Sequence, residues 1–258
     1  MRYALRGALA VMVAVAVAVV FAWQSRPADQ ASSPTSTSST SAPAVTSTTE
    51  PTPTTEPTTT TMAPTTTTTV VPALGPGSTG PEVLAVEQRL DELGYFVGAV
   101  DGTYDDSTLH GVTAFQKVAG IGRDGVVGPV TEEALARATR PTPGRAGGRH
   151  LEVDLAHQVL LAVDGATVHK VLDISTGKTP GLTPTGDFTL YREIDGWRHA
   201  PLGVLYRPKY YWKGLAIHGY SSVPPYPASH GCIRVTNAEM DWLWASGLAD
   251  LGTPVWIR

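Results

Sequence analysis

The sequence predicts a multi-domain protein in which a small three-helix domain is followed by a mostly-β, β-sandwich-like domain with one helix. Three observations predict it. Apolar residues recur at three- and four-residue intervals through residues 77–140, the period of a helix face. Beyond residue 150 the period drops to two, as in strands with one buried face. Before residue 77 lies a Ser/Thr/Pro tract with too little apolar content to offset its ordering entropy. The chain of 258 residues suffices for two small domains, and a net charge of -4 offers no footprint for nucleic acid.

Residues 1–25 read as a signal peptide or signal anchor. Arg2 and Arg6 precede an uncharged run whose core, Ala8 to Trp23, is mostly alanine and valine. Such a run just spans a bilayer at about 1.5 Å per residue, with both arginines inside. Membrane attachment is expected only through this segment, and only if it is uncleaved. No cysteine follows it closely, which excludes a lipoprotein anchor. Residues 26–76 form a linker in which Asp29, Glu50 and Glu56 are the only charges beyond Arg26. An extended, disordered spacer is expected there, reaching on the order of 150 Å if largely polyproline II.

In residues 77–140, Val83, Val86, Leu90 and Leu93 mark a first helix, with Ser78 or Thr79 as cap and Gly94 as terminator. A second helix runs from Asp105 to Ala119 and buries Leu109, Val112, Phe115 and Val118. A third starts near Thr131 and buries Leu135. Asp101-Gly102 and Asp124-Gly125 echo one another, each a tight turn feeding a helix. Residues 141–149, rich in Pro and Gly, read as a hinge. In residues 150–258, Leu151, Val153 and Leu155 alternate with Glu152 and Asp154, and Asp164-Gly165 joins two β-prone runs as a hairpin. Further strands fall at Gly186 to Tyr191, Leu215 to Ile217, Ile233 to Val235 and Val255 to Arg258. One helix, capped by Asn237, contains Met240, Leu243 and Trp244.

The chemistry concentrates around the single cysteine, Cys232. A thiol titrates near 8.5, so a histidine partner is the usual means of activating it. His218 ends an apolar strand and has a rigid mount, which suits it as proton acceptor and later donor. His230 shares a turn with Cys232 and suits a shaping or substrate-orienting part. Gly231 lets the chain turn tightly and exposes its own amide and that of Cys232 as candidate oxyanion donors. The Gly219 carbonyl is the candidate acceptor that orients His218. Arg234 could pair with a substrate carboxylate or make an ordinary ion pair. Tyr210, Tyr211 and Trp212 could line a substrate cleft or serve as packing and rim aromatics. A zinc site lacks ligands and spacing: His218, His230 and Cys232 are only three, without CxxC or HExxH. No metal or organic cofactor is called for.

Two resemblances add to this reading. Gly94-Tyr95, Asp101-Gly102, Phe115-Gln116, Asp124-Gly125, Gly128 and Thr131 resemble the three-helix peptidoglycan-binding domain found beside many wall enzymes. Ser229-His230-Gly231-Cys232-Ile233-Arg234, with Ile217-His218-Gly219 upstream, resembles the signature of the YkuD-type L,D-transpeptidases. Val153-Asp154-Leu155, Ser175-Thr176-Gly177 and Thr183 to Phe188 extend that resemblance over residues 150–258. It implies a cysteine enzyme that forms peptidoglycan cross-links through an acyl-enzyme, outside the cytoplasm, with stem peptides and glycan as partners. Cys232 would be the nucleophile and His218 the base, with Gly219, Ser229, His230, Gly231 and Arg234 in support. The ten residues between His218 and Ser229 are fewer than in many relatives, so Tyr220 to Ala228 should be compact. Leu202 to Lys213 has no clear match to the family's substrate-gating residues. The alternatives are a carboxypeptidase, with water as acceptor, and a non-catalytic wall-binding scaffold.

Overall fold

The computed structural model describes residues 73–258. The export segment and nearly all of the linker lie outside the described residues. Among those described, no helix is long and apolar enough to cross a membrane.

The helical part comprises α1 (Pro81–Glu92), α2 (Asp106–Ala119) and α3 (Pro129–Arg137). α1 begins behind Gly80, because Pro81 suits the first helical position and needs no partner for a missing N–H. Ser78, expected as a cap, instead accepts the Gly75 N–H at 3.1 Å. Asp105 is the cap of α2 rather than its first residue, accepting the Thr108 N–H at 2.9 Å. The two Asp-Gly turns are also served alike. The buried Glu87 carboxylate of α1 accepts the N–H groups of Asp101 (3.0 Å) and Gly102 (2.8 Å). Gln116 of α2 accepts the Gly125 N–H at 2.8 Å and donates to Asp124 at 2.7 Å. Each helix thereby satisfies the buried turn that follows it.

The β part holds two sheets. In chain order the first contains β1 (Arg149–Asp154), β2 (Val159–Asp164), β3 (Thr167–Asp173), β4 (Gly186–Thr189) and β10 (Pro254–Ile257), arranged β3-β2-β1-β10-β4. The second contains β5 (Arg192–Glu193), β6 (Trp197–Ala200), β7 (Gly203–Trp212), β8 (Leu215–Gly219) and β9 (Ile233–Val235), arranged β5-β7-β8-β9 with β6 also on β7. Leu151, Val153 and Val255 of one sheet meet Ile217, Ile233 and Val235 of the other in one core. Met240 and Leu243 of α4 (Asn237–Ala245) close it. The α4 cap is Thr236, which forms a capping box with Glu239; Asn237 is the first helical residue.

Four features differ from the sequence reading or lie outside it. Leu202 to Lys213 is mostly the ten-residue strand β7, hidden from periodicity by register shifts and by Arg207 at φ 47°. Glu152 alternates with the buried Leu151 and Val153, yet it is buried as well. It accepts N–H groups from Gly144 and Arg145, both at 2.8 Å. The same bonds hold down the stretch 141–149, expected as a hinge, and Arg145 stacks on Trp256 at 4.2 Å. Finally, the helical part shares a core with the sheet. Val83, Leu90 and Phe115 cluster with Leu161, Val163 and Val171, while Phe96 N–H and Gly94 carbonyl bond the edge of β3 at Val171.

A shared core predicts shared stability. Leu161→Ala, on the β2 face toward the helices, should cost about 2–4 kcal/mol. In urea, probes in the helical part and in the sheet should lose structure in one coincident transition.

Candidate active site

β8 and β9 are parallel neighbours with Ile217 opposite Ile233 and His218 opposite Arg234. Side chains alternate along a strand, so Ile217 and Ile233 enter the core together. The residues between them, Ala216, His218, Cys232 and Arg234, are thereby sent to the opposite face. There His218, Cys232 and Arg234 border a cleft of about 280 Å³, whose walls also include Tyr210, Tyr220 and Leu215. The roof comes from the β6–β7 hairpin, whose two-residue tip is Pro201-Leu202.

His218 is buried, and its Nδ1 lies 2.9 Å from the Gly219 carbonyl. A carbonyl only accepts, so Nδ1 carries the proton and Nε2 is left as the acceptor. Burial drives the His218 pKa down to about 4, with Arg234 adding to the shift and the Gly219 bond opposing it. Burial also pushes the Cys232 thiol up, against the Ala216 N–H and the Arg234 charge. Burial therefore disfavours the charged form of both groups. The cleft thus carries this thiol and this imidazole on one face.

The loop before Cys232 is fixed from several sides. Ser229 is buried; its Oγ donates to the Cys232 carbonyl at 2.6 Å and accepts the Gly231 N–H at 3.0 Å. The Gly231 carbonyl accepts Thr183 Oγ1 at 2.8 Å and Tyr211 Oη at 3.3 Å. Gly231 sits at φ 125°, and a Cβ there would stand 2.7 Å from the Leu182 carbonyl, so no other residue fits. Gly219 is required by crowding alone: a Cβ would lie 2.6 Å from Asn237 Oδ1.

These contacts redistribute the expected parts. Ser229 is the clamp of the loop, whereas His230 is exposed at the cleft rim. The Gly231 amide is occupied by Ser229, leaving that of Cys232 as the candidate oxyanion donor. Arg234 lies 4.3 Å over the Tyr220 ring and takes part in none of the ion pairs among the described residues. Of the three aromatics, only Tyr210 lines the cleft. Tyr211 is buried behind it, edge-on to Phe188 at 5.5 Å, and Trp212 lies beside the same Phe188 at 6.2 Å. Ala200, Leu202, Val204 and Leu205 of the roof escaped sequence reasoning because Pro201-Leu202 carries no Asn-Gly-type turn signal.

The fold and the cleft define a β-sheet domain with a cysteine and a histidine on one cleft face, attached to a helical domain. Residues 148–257 match the family model described as the L,D-transpeptidase catalytic domain, and residues 79–135 match that of a putative peptidoglycan binding domain. The crystal structure of the L,D-transpeptidase (residues 123-326) from Xylanimonas cellulosilytica is 47% identical, with a TM-score of 0.69. That similarity covers 72% of this chain and 97% of that one. The chain belongs to the YkuD-type L,D-transpeptidase family, with a peptidoglycan-binding domain preceding the catalytic one. Curated relatives are matched over short stretches. The N-acetylmuramoyl-L-alanine amidase CwlL of Bacillus licheniformis is 43% identical over 65 residues, 24% of this chain and 18% of that protein. The amidase CwlM of Mycobacterium tuberculosis is 34% identical over 56 residues, 22% of this chain and 14% of that protein. The chain thus spans less than a fifth of the length of these relatives.

The depressed His218 pKa carries a stability consequence. The unfolded histidine binds a proton near pH 6.5, the folded one only near 4, so stability is intact above 6.5 and falls as pH drops toward 4. Relative to His218→Gln, the wild type should lose up to about 3 kcal/mol more across that window, read as the difference between the two urea midpoints.

Proposed function

We propose that the chain is a peptidoglycan L,D-transpeptidase that joins stem peptides through a cysteine acyl-enzyme. The observation that carries the reading is the shared cleft face of Cys232 and His218, with Nε2 of the imidazole left as acceptor. Sγ of Cys232 attacks the carbonyl of the L-centre residue at stem position three as His218 Nε2 takes the thiol proton. The developing oxyanion meets the Cys232 amide. Collapse breaks the peptide bond, and His218 returns the proton to the departing amine of the terminal D-residue. An amine of a neighbouring stem then attacks the thioester and gives its proton to His218, and the thiol leaves with it. Arg234, cationic and outside every described ion pair, is the proposed partner for a substrate carboxylate.

An amine rather than water is the proposed acceptor, in keeping with the family; the segment Ala200 to Leu205 that borders the cleft beside Cys232 is largely apolar. The helical domain would hold the enzyme on glycan and stem, outside the cytoplasm. The signal or anchor in residues 1–25 and the spacer supply the route there.

Incubation with a carbapenem followed by intact mass should give one covalent adduct on wild type and none on Cys232→Ala. Lack of an adduct, or its survival in that variant, contradicts the proposal. His218→Gln should slow acylation by about 10²- to 10⁴-fold. The wild-type rate should stay level from neutral pH downward and fall only near pH 4, where His218 protonates. A tetrapeptide stem with and without an amine acceptor separates transfer from hydrolysis: cross-linked dimer is expected, and tripeptide alone would indicate a carboxypeptidase.

A further inference from the structure

Lys117 lies in the helical domain, yet it is fully buried against the catalytic one. Its ammonium donates to the Gln158 carbonyl at 3.0 Å, to the Ile174 carbonyl at 2.8 Å and to the Asp173 carboxylate. His110, two turns earlier on the same face of the helix, holds the second Asp173 oxygen at 2.7 Å. The Asp173 N–H in turn donates to Glu239 at 2.8 Å, the residue of the α4 capping box. All three ammonium protons are satisfied, and every acceptor belongs to the catalytic domain.

The segment gripped in this way leads directly to the catalytic loop. After Asp173 and Ile174, Ser175 exchanges two backbone bonds with Arg234, each 3.0 Å. The Ser175 hydroxyl donates to the Tyr226 carbonyl at 2.8 Å. The Thr176 carbonyl accepts the amides of Ala228 (2.9 Å) and Ser229 (2.8 Å), and the Lys178 amide donates to the Ser229 carbonyl at 2.9 Å. Gln158, whose carbonyl Lys117 holds, donates and accepts at Thr176 through its side chain. Residues 173–178 are thus a cradle under both flanks of Cys232, and Lys117 is the bolt at its head.

We propose that Lys117 is a positioning residue for the cysteine chemistry, so that the helical domain is a working part of the catalytic unit as well as a wall-binding module. Stability alone is a weak reason for this lysine. Buried ion pairs replaced by apolar residues of similar volume are often neutral or stabilising. An ammonium that fixes two carbonyls and a carboxylate in one geometry supplies direction, which an apolar side chain cannot.

The inference rests on the transferase reading, and its test separates the two. In the full chain, Lys117→Met combined with Asp173→Asn removes the grip without stranding a buried charge. The measurements are the melting midpoint, kcat and KM for a donor stem, and the pH profile of Cys232 alkylation by iodoacetamide. Well below its melting point, the double variant should lose ten-fold or more in kcat with KM within two-fold, and its alkylation midpoint should move toward that of a free thiol. Arg140→Ala is the control. It breaks a bond across the same interface, from Arg140 to the Val168 carbonyl at 3.0 Å, but leaves the cradle alone, and its kcat should stay within two-fold of wild type. A folded double variant with wild-type kcat and alkylation profile overturns the proposal. Should the double variant not fold, Lys117→Met alone decides, since His110 still holds the second Asp173 oxygen: a ten-fold or larger loss of kcat with KM within two-fold supports the proposal and an unchanged kcat overturns it. A wild type that alkylates as expected yet turns over no stem peptide defeats the transferase reading instead, leaving the alkylation profile to judge the cradle.

Discussion

The parallel pairing of β8 with β9 is the constraint on which the site depends. It sets Ile217 against Ile233, and the two-residue alternation of a strand does the rest. A slip of one residue would send His218 and Cys232 into the core and the isoleucines into the cleft. The register is held by the core on one side and, on the other, by Ser175, which pairs with Arg234 from outside the sheet. Residues 220–232, the connection between the two strands, then need only arrive at the right place. Ser229, Thr183 and Tyr211 see to that by binding its carbonyls and amides.

Burial decides the resting state of the pair. Moving a thiol and an imidazole out of water disfavours the charged form of both, and Arg234 favours thiolate while opposing imidazolium. A neutral pair avoids carrying two opposite charges in a low-dielectric cleft at rest. On the proposed mechanism, charge appears as the sulfur attacks, where the Cys232 amide and Arg234 would act on it. The same economy of charge does not hold at the interface between the domains. There Lys117, Asp173, His110 and Glu239 are kept together because each satisfies a backbone or carboxyl partner that has no access to water.

Much of this was legible in the residues. The helical period located α1, α2 and α3, and the repeated Asp-Gly turns foretold two alike helix entries. Cys232 and His218 stood out through the company they keep, and the Gly219 carbonyl was a candidate acceptor for His218 because no Asp or Asn lies close in sequence. What the sequence hid was tertiary. Glu152 alternates like a surface residue, yet Gly144 and Arg145 fold over it. β7 has bulges and a positive-φ arginine that erase its period. The Gly231 amide looked free because nothing in the order of residues says that Ser229 Oγ turns back onto it. Lys117, on a helix face that reads as amphipathic, gave no sign of partners 41 to 57 positions away.

The central claim is that Cys232 and His218 rest as a neutral thiol and an Nδ1-protonated imidazole. Nitrogen-15 NMR of the His218 ring across pH measures this most directly, with His218→Gln to assign the signals. The account predicts the neutral Nδ1–H tautomer at pH 7 and protonation only near pH 4. An imidazolium at pH 7 that is lost on alkylating Cys232 would contradict it.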